Sequence, residues 1–175
     1  MLKDFGLKMK PPHSDKKYEQ AGLRINISKL SDGIHEYEFK VEPRQLDLDE
    51  RFNKPLNVNA RLDKATNKIF LTSDLETDAD VECDRCLNPF LHHLQTSYNV
   101  LYTYEDRGIT VNDSDDVQVI SIDKVYLDLA EDVRQYLLLA MPIKLVCKDE
   151  CAGLCPTCGK NLNDIKCNCK TEEDR

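Results

Sequence analysis

Over residues 34–42 apolar and polar side chains alternate (Ile-His-Glu-Tyr-Glu-Phe-Lys-Val-Glu), the period of two that marks a half-buried antiparallel strand. The pattern returns over 56–63 and 68–73, with Thr66-Asn67 placed to turn a hairpin between them. Another alternating run, 75–82, leads straight into Cys83, and a further one over 90–104 begins just after Cys86. The turn Cys83-Asp-Arg-Cys86 is therefore expected at the tip of a strand-to-strand hairpin. Residues 108–116 are polar and acidic, which predicts a loop, and 117–122 alternate once more as a short strand. Between Pro43 and Pro55, residues 45–51 suit one or two helical turns.

The period then changes. Leu129, Val133, Leu137 and Ala140 recur at helical spacing, Leu138 and Met141 widen the stripe, and Pro142 stops it. Asp128-Leu-Ala-Glu131 has the spacing of a capping box, so a helix is expected over about 128–141. Its apolar stripe reads as core rather than as a cofactor surface. The first twenty residues carry Lys3, Lys8, Lys10, Lys16 and Lys17 around Pro11-Pro12 with no sustained apolar period. These features predict an α+β protein, a mostly antiparallel twisted sheet of roughly five to seven strands with one long packed helix. Three parts are expected: a basic arm at 1–20, a β-rich domain at 21–146, and a cysteine-rich, zinc-binding segment at 147–175.

Composition narrows the function. At 175 residues the chain can bury a real core. Its formal net charge is -8, and Glu105, Asp106, Asp113, Asp115, Asp116, Asp123, Asp128, Glu131 and Asp132 face only Arg107 and Lys124. This acidity reads as solvated surface and weakens the basic-surface route to nucleic acid. No apolar run approaches the roughly 20 residues that cross a bilayer, and the start Met-Leu-Lys-Asp-Phe-Gly lacks a signal-peptide core. A cytoplasmic protein with no membrane partner is expected. There is no Gly-rich phosphate loop, serine nucleophile elbow or distinct carboxylate pair, so neither an enzyme nor a small-molecule substrate is expected.

The cysteines make the strongest chemical statement. Eight fall into four close pairs: Cys83/Cys86, Cys147/Cys151, Cys155/Cys158 and Cys167/Cys169. That is the ligand count of two tetrahedral four-cysteine sites, and in a reducing compartment such pairs hold metal more often than they form disulfides. Two structural zinc ions are the expected cofactors. Short loops close most cheaply, so Cys155, Cys158, Cys167 and Cys169 make a local site. Cys83 and Cys86 then join Cys147 and Cys151 in a long-range one. His92 and His93 are alternative ligands, but adjacent strand residues face opposite ways, so at most one faces a site, and surface or packed histidine is the plainer reading.

Three stretches together are specific: Cys83-Asp-Arg-Cys86-Leu-Asn-Pro-Phe90, Leu127-Asp-Leu-Ala-Glu-Asp-Val-Arg-Gln-Tyr-Leu-Leu-Leu-Ala-Met-Pro142, and Cys147-Lys-Asp-Glu-Cys-Ala-Gly-Leu-Cys-Pro-Thr-Cys-Gly-Lys-Asn-Leu-Asn163 with Cys167-Asn-Cys169. In this order the series resembles the YceD family, the large ribosomal RNA subunit accumulation proteins. The resemblance implies a ribosome biogenesis factor supporting accumulation or maturation of large-subunit ribosomal RNA. Its partners would be the precursor large subunit, a ribosomal protein or the RNA itself. Direct RNA contact would fall to Arg85, Lys144, Lys148, Lys160, Lys166 and Lys170, near the cysteines. Residues 142–175 balance six Lys or Arg with six Asp or Glu, so these side chains equally suit plain solvation. The alternative reading is a thiol-based redox or metal-responsive switch using Cys83 and Cys86.

Overall fold

The computed structural model describes residues 22–104 and 117–169. The arm expected at 1–20, the acidic loop at 108–116 and Lys170 lie outside the described residues, as do Glu105, Asp106 and Arg107. Among the described residues the elements run β1 (Arg24–Asn26), β2 (Gly33–Val41), a 3-10 turn (Pro43–Leu46), β3 (Leu56–Ala65), β4 (Lys68–Glu82), β5 (Pro89–Tyr104), β6 (Val117–Ile120), β7 (Tyr126–Asp128) and α1 (Ala130–Ala140). The 3-10 turn takes the start of the helical stretch expected after Pro43 and buries Leu46.

Alternation places the sheet's two faces. Leu56, Val58, Ala60 and Leu62 of β3 point inward and are at most 2% exposed, while the residues between them face out. On β4 the inward positions are Ile69, Leu71, Ser73, Leu75, Thr77, Ala79 and Val81. Polar Ser73 and Thr77 occupy inward positions, so the runs 68–73 and 75–82 share one phase and form a single 15-residue strand rather than two.

The main sheet runs β2-β3-β4-β5-β6. Its first four strands pair antiparallel, whereas β6 lies parallel to the end of β5, Leu101 opposite Val117. The sheet is therefore mixed at one edge. The three-residue strands β1 and β7 pair separately, too short for any period to reveal them.

The helix starts two residues later than expected and ends one earlier. Asp128 Oδ1 accepts a hydrogen bond from the Ala130 amide at 3.1 Å. Glu131 accepts one from Gln135 at 2.9 Å, and Leu129 holds the cap position with no side-chain cap bond, so the expected capping box does not form and Asp128 instead holds the amide two residues on. Leu129, Val133 and Leu137 are fully buried, and Leu138 and Met141 pack at the margin. Tyr136 stacks on Tyr98 with ring centroids 4.5 Å apart, and the Tyr102 hydroxyl donates to Asp132 at 3.4 Å. These contacts lay α1 on the inner face of β5. No helix among the described residues is long and apolar enough to cross a membrane.

The β4–β5 hairpin positions the cysteines. At about 3.3 Å per residue its strands are about 50 Å long. β3 pairs with β4 only as far as Glu76, beyond which the hairpin continues as a two-stranded ribbon. The chain between the 3-10 turn and β3 covers the exposed edge there: the Asp80 amide donates to the Arg51 carbonyl at 2.8 Å, and Phe52 is buried. The ribbon ends in Cys83-Asp-Arg-Cys86.

Candidate metal centres

At the ribbon tip the Leu87 amide donates to the Cys83 carbonyl at 2.8 Å, and the Cys83 amide to the Asn88 carbonyl at 3.0 Å. Leu87 takes a left-handed φ of 58° to close this turn, which brings Cys83 and Cys86 side by side. The chain leaving α1 docks on it. The Asp84 amide donates to the Leu145 carbonyl at 2.8 Å, and the Leu145 amide returns a bond to Asp84 Oδ2 at 2.6 Å. This reciprocal pair delivers Cys147, whose own amide donates to Cys83 Sγ at 3.4 Å. Arg85 holds the next segment: its Nη1 donates to the carbonyls of Asp149 and Cys151 at 3.1 and 3.0 Å, and its carbonyl accepts from the Leu154 amide. Asn163 Nδ2 donates to Cys151 Sγ at 3.4 Å, and Asn163 Oδ1 accepts from the Ala152 amide. Sulfurs of Cys83 and Cys151, and of Cys86 and Cys147, lie 3.8 Å apart.

The second cluster is local. Cys155 pairs its amide with the Lys160 carbonyl and its carbonyl with the Gly159 amide, both at 2.8 Å, which closes the Cys155-Pro-Thr-Cys158-Gly turn. A single bridge between Leu154 and Asn161 backs it. Cys167 Sγ lies 3.4 Å from Cys155 Sγ and 3.5 Å from Cys158 Sγ, and the Cys169 amide donates to Cys167 Sγ at 3.3 Å. The tight Cys167-Asn-Cys169 spacing is thus accommodated. The structure brings together the groupings that loop closure favours, and within each the four sulfurs lie within 4.8 Å of one another.

This spacing suits one ion per cluster. Four sulfurs about 2.3 Å from a tetrahedral zinc stand about 3.8 Å from each other. A disulfide needs about 2.05 Å, and all eight cysteines are free. The first cluster is enclosed, with Cys83, Cys86 and Cys151 at 0, 3 and 4% exposure. In the second, Cys155 is buried while Cys158 and Cys169 are exposed.

Ionisation shows what each cluster lacks on its own. Burial opposes a thiolate at Cys83, yet the amides of Cys147, Cys86 and Arg85 aimed at its sulfur bring its pKa down to about 6. Amides of Cys158 and Thr157 bring Cys155 down to about 6 likewise. Burial, then the neighbouring sulfurs, pushes Cys147 up to about 12, and the sulfurs of Cys167 and Cys158 push Cys169 to about 12. Each cluster thus holds at least one thiol brought low by groups aimed at its sulfur and one held high, by burial and then neighbouring sulfurs at Cys147 and by neighbouring sulfurs at Cys169. A divalent cation reverses this balance: by Coulomb's law its four attractions at about 2.3 Å are roughly twice the six sulfur–sulfur repulsions at about 3.8 Å.

Neither histidine joins a cluster. His93 faces out and its ring donates to Asp78 at 2.9 Å, while half-buried His92 lies edge-on to Phe90. Lys144, Lys148, Lys160 and Lys166 are exposed, and the Arg85 guanidinium is engaged within the first cluster's strap. Sequence reasoning missed the supporting roles of Asp84, Arg85 and Asn163. For Asn163 the nearest signal was the Gly-Lys-Asn-Leu-Asn run that it closes, since short amides beside a knuckle suit turns and sulfur contacts.

The family model "Large ribosomal RNA subunit accumulation protein YceD" matches residues 71–175, from near the start of β4 through both clusters. A chloroplastic protein of Arabidopsis thaliana named large ribosomal RNA subunit accumulation protein YCED homolog 1 is 26% identical over 144 residues, covering 68% of this chain and 45% of that protein. Its namesake in Zea mays is 24% identical over 143 residues, covering 66% and 49%. An uncharacterised protein of Mycobacterium tuberculosis is 27% identical over 107 residues, covering 61% and 51%. The chain spans about half the length of the curated relatives it matches. No solved structure matches it significantly. With the family model covering more than half of its residues, including every cysteine, the chain belongs to the YceD family, the large ribosomal RNA subunit accumulation proteins.

Proposed function

We propose that the protein is a non-catalytic, zinc-stabilised binding factor that supports accumulation or maturation of large-subunit ribosomal RNA in the cytoplasm. The observation that carries this reading is the family match across residues 71–175, with relatives named for that RNA. The site chemistry supports it. Four thiolates close the coordination shell of a zinc ion and leave no position for a substrate or activated water, so the metal's work is structural. Sulfurs 3.4 to 3.8 Å apart suit one ion better than a multi-iron cluster, which spreads its ligands over a larger body. The surface is more acidic than basic, which favours contact with a basic ribosomal protein over a broad RNA interface. The alternative, a thiol switch at Cys83 and Cys86, needs reachable sulfurs, and both are buried.

Gradient sedimentation of a cell extract, with sequencing of RNA and proteins that co-purify with the tagged chain, tests the reading. Enrichment with large-subunit precursors is expected. Migration solely as free protein, without ribosomal material, would overturn it.

A further inference from the structure

β5 contains no aspartate, glutamate, lysine or arginine in its 16 residues, where a chain 32% charged would place about five. It is also an edge. β6 covers only residues 101–104, so among the described residues the backbone of 89–100 has no strand partner on the side away from β4. Its register with β4 runs unbroken from Lys68↔Thr103 to Glu82↔Pro89, with no bulge to turn the edge away. Proteins usually protect such an edge with charges, prolines or bulges, because unpaired amides and carbonyls are a template for another strand. Here only Pro89, at the extreme end, serves that purpose.

The neighbouring strand supplies a preference. On the outer face of β4 stand Asp74, Glu76, Asp78, Asp80 and Glu82, opposite Ser97, Gln95, His93, Leu91 and Pro89 of β5. On the other flank β3 sets Asn57 and Asn59 against Glu76 and Asp74. His93 reaches Asp78 at 2.9 Å and Glu76 at 3.6 Å, and Asn53 donates to Asp80. No lysine or arginine among the described residues pairs with any of the five.

We infer that the open edge of β5, residues 89–100, takes up an extended basic segment of a partner protein as an added strand. The partner's main chain supplies the hydrogen bonds, as in other strand-addition complexes. Lysines or arginines on its outward side stand two strand spacings, about 10 Å, from the β4 carboxylates, and long side chains lying over Ser97 and Gln95 close that gap. Alternate residues of the segment face inward beside His92, Leu94 and Thr96 and are apolar. The inference rests on the reading of this protein as a binding factor and names the chemistry of its partner.

Amide hydrogen exchange of the purified full-length protein tests it, with an end-blocked peptide alternating lysine and valine as probe and one alternating glutamate and valine as control. The lysine peptide is expected to slow exchange at alternate amides between residues 89 and 100. The pair Asp74→Asn and Glu76→Gln is expected to weaken binding about three- to tenfold, as loss of two exposed charge contacts implies. Ser97→Lys should weaken it as well. All three side chains are exposed, so the fold is retained. Unchanged exchange at millimolar peptide, or equal protection by the glutamate peptide, would overturn the inference. So would edge amides that are slow in the free protein and quicken when residues 1–20 are removed, which would give the edge to the chain's own arm, or slow only at high protein concentration, which would give it to a second copy. This titration contains no ribosomal material, so it fails or succeeds independently of the gradient.

Discussion

Gly153 offers a sharp test of how the first cluster is held. It sits at a φ of +73°, and a Cβ there would lie 3.0 Å from the Arg85 carbonyl oxygen. That oxygen is pinned by the Leu154 amide at 3.0 Å, while the Arg85 guanidinium grips the Asp149 and Cys151 carbonyls. It cannot retreat without loosening the strap that carries Cys151 to Cys83. Gly153→Ala therefore meets two costs. A left-handed φ costs a residue with a Cβ about 1–2 kcal/mol, and moving a pinned carbonyl by a few tenths of an ångström adds bond-angle strain of about 1 kcal/mol. Together they amount to about 2–3 kcal/mol, which at an m-value of about 2 kcal/mol/M lowers the urea midpoint by about 1–1.5 M. Gly22→Ala, just before β1 in the same domain, is the control: its φ of +75° carries the first cost, but nothing lies within 4 Å of the new Cβ. Urea titration of the zinc-loaded variants, followed by circular dichroism, should show Gly153→Ala the worse by about 1 kcal/mol. Equal midpoints would mean that the Arg85 carbonyl moves freely and that the strap does not hold the cluster as argued.

Cys86→Ser should lower bound zinc by about one equivalent and destabilise the sheet, whereas Cys158→Ser should lose about one equivalent with the sheet's melting unchanged; equal global unfolding in both would refute the division of labour. In zinc-loaded native protein few thiols should react quickly until a chelator or denaturant is added, and rapid labelling of Cys83 and Cys86 would revive the switch reading. Burial raises the Asp132 carboxyl above its ordinary value, against the pull of hydrogen bonds from Tyr102 and Gln118. A carboxyl raised by folding contributes stability while protonated, and that contribution is lost as pH rises through its folded pKa. Asp132→Asn should therefore stabilise the protein at neutral pH and give no gain below the carboxylate range, as melting temperatures across pH would show.

Much of this architecture was written in periodicity. β2, β3 and β5 fall within two residues of their alternating runs, because one face of each is buried and the other wet. The stripe of Leu129, Val133 and Leu137 gave the helix for the same reason. What escaped was set by partners distant in the chain. β1 and β7 hold three residues each, and what makes them strands is their pairing with each other across about a hundred residues. The parallel pairing of β6 with the end of β5 is likewise set by a partner strand, which no local pattern records. The cysteine groupings followed from sequence spacing, but the strap through Asp84, Arg85 and Asn163 did not. Those residues act through backbone carbonyls, amides and a sulfur brought near only by folding.

The two clusters differ in what must fold before each can close. Cys158 and Cys167 are 9 residues apart, whereas Cys86 and Cys147 are 61 apart. Loop-closure probability falls as about the 3/2 power of length, so the longer loop closes roughly 18-fold less often in an unfolded chain. The first site thus depends on the sheet and α1 to bring its halves together. In return it fastens the free end of a ribbon that extends past β3, and two strands alone are marginal in water. The second site lies within residues 155–169 and needs neither. Denaturation of zinc-loaded protein should therefore release one equivalent as the sheet's circular dichroism is lost and the second only at higher denaturant. A colorimetric zinc indicator present throughout the titration reads both steps. Simultaneous release of both ions with the sheet would show that the C-terminal cluster also draws its stability from the domain.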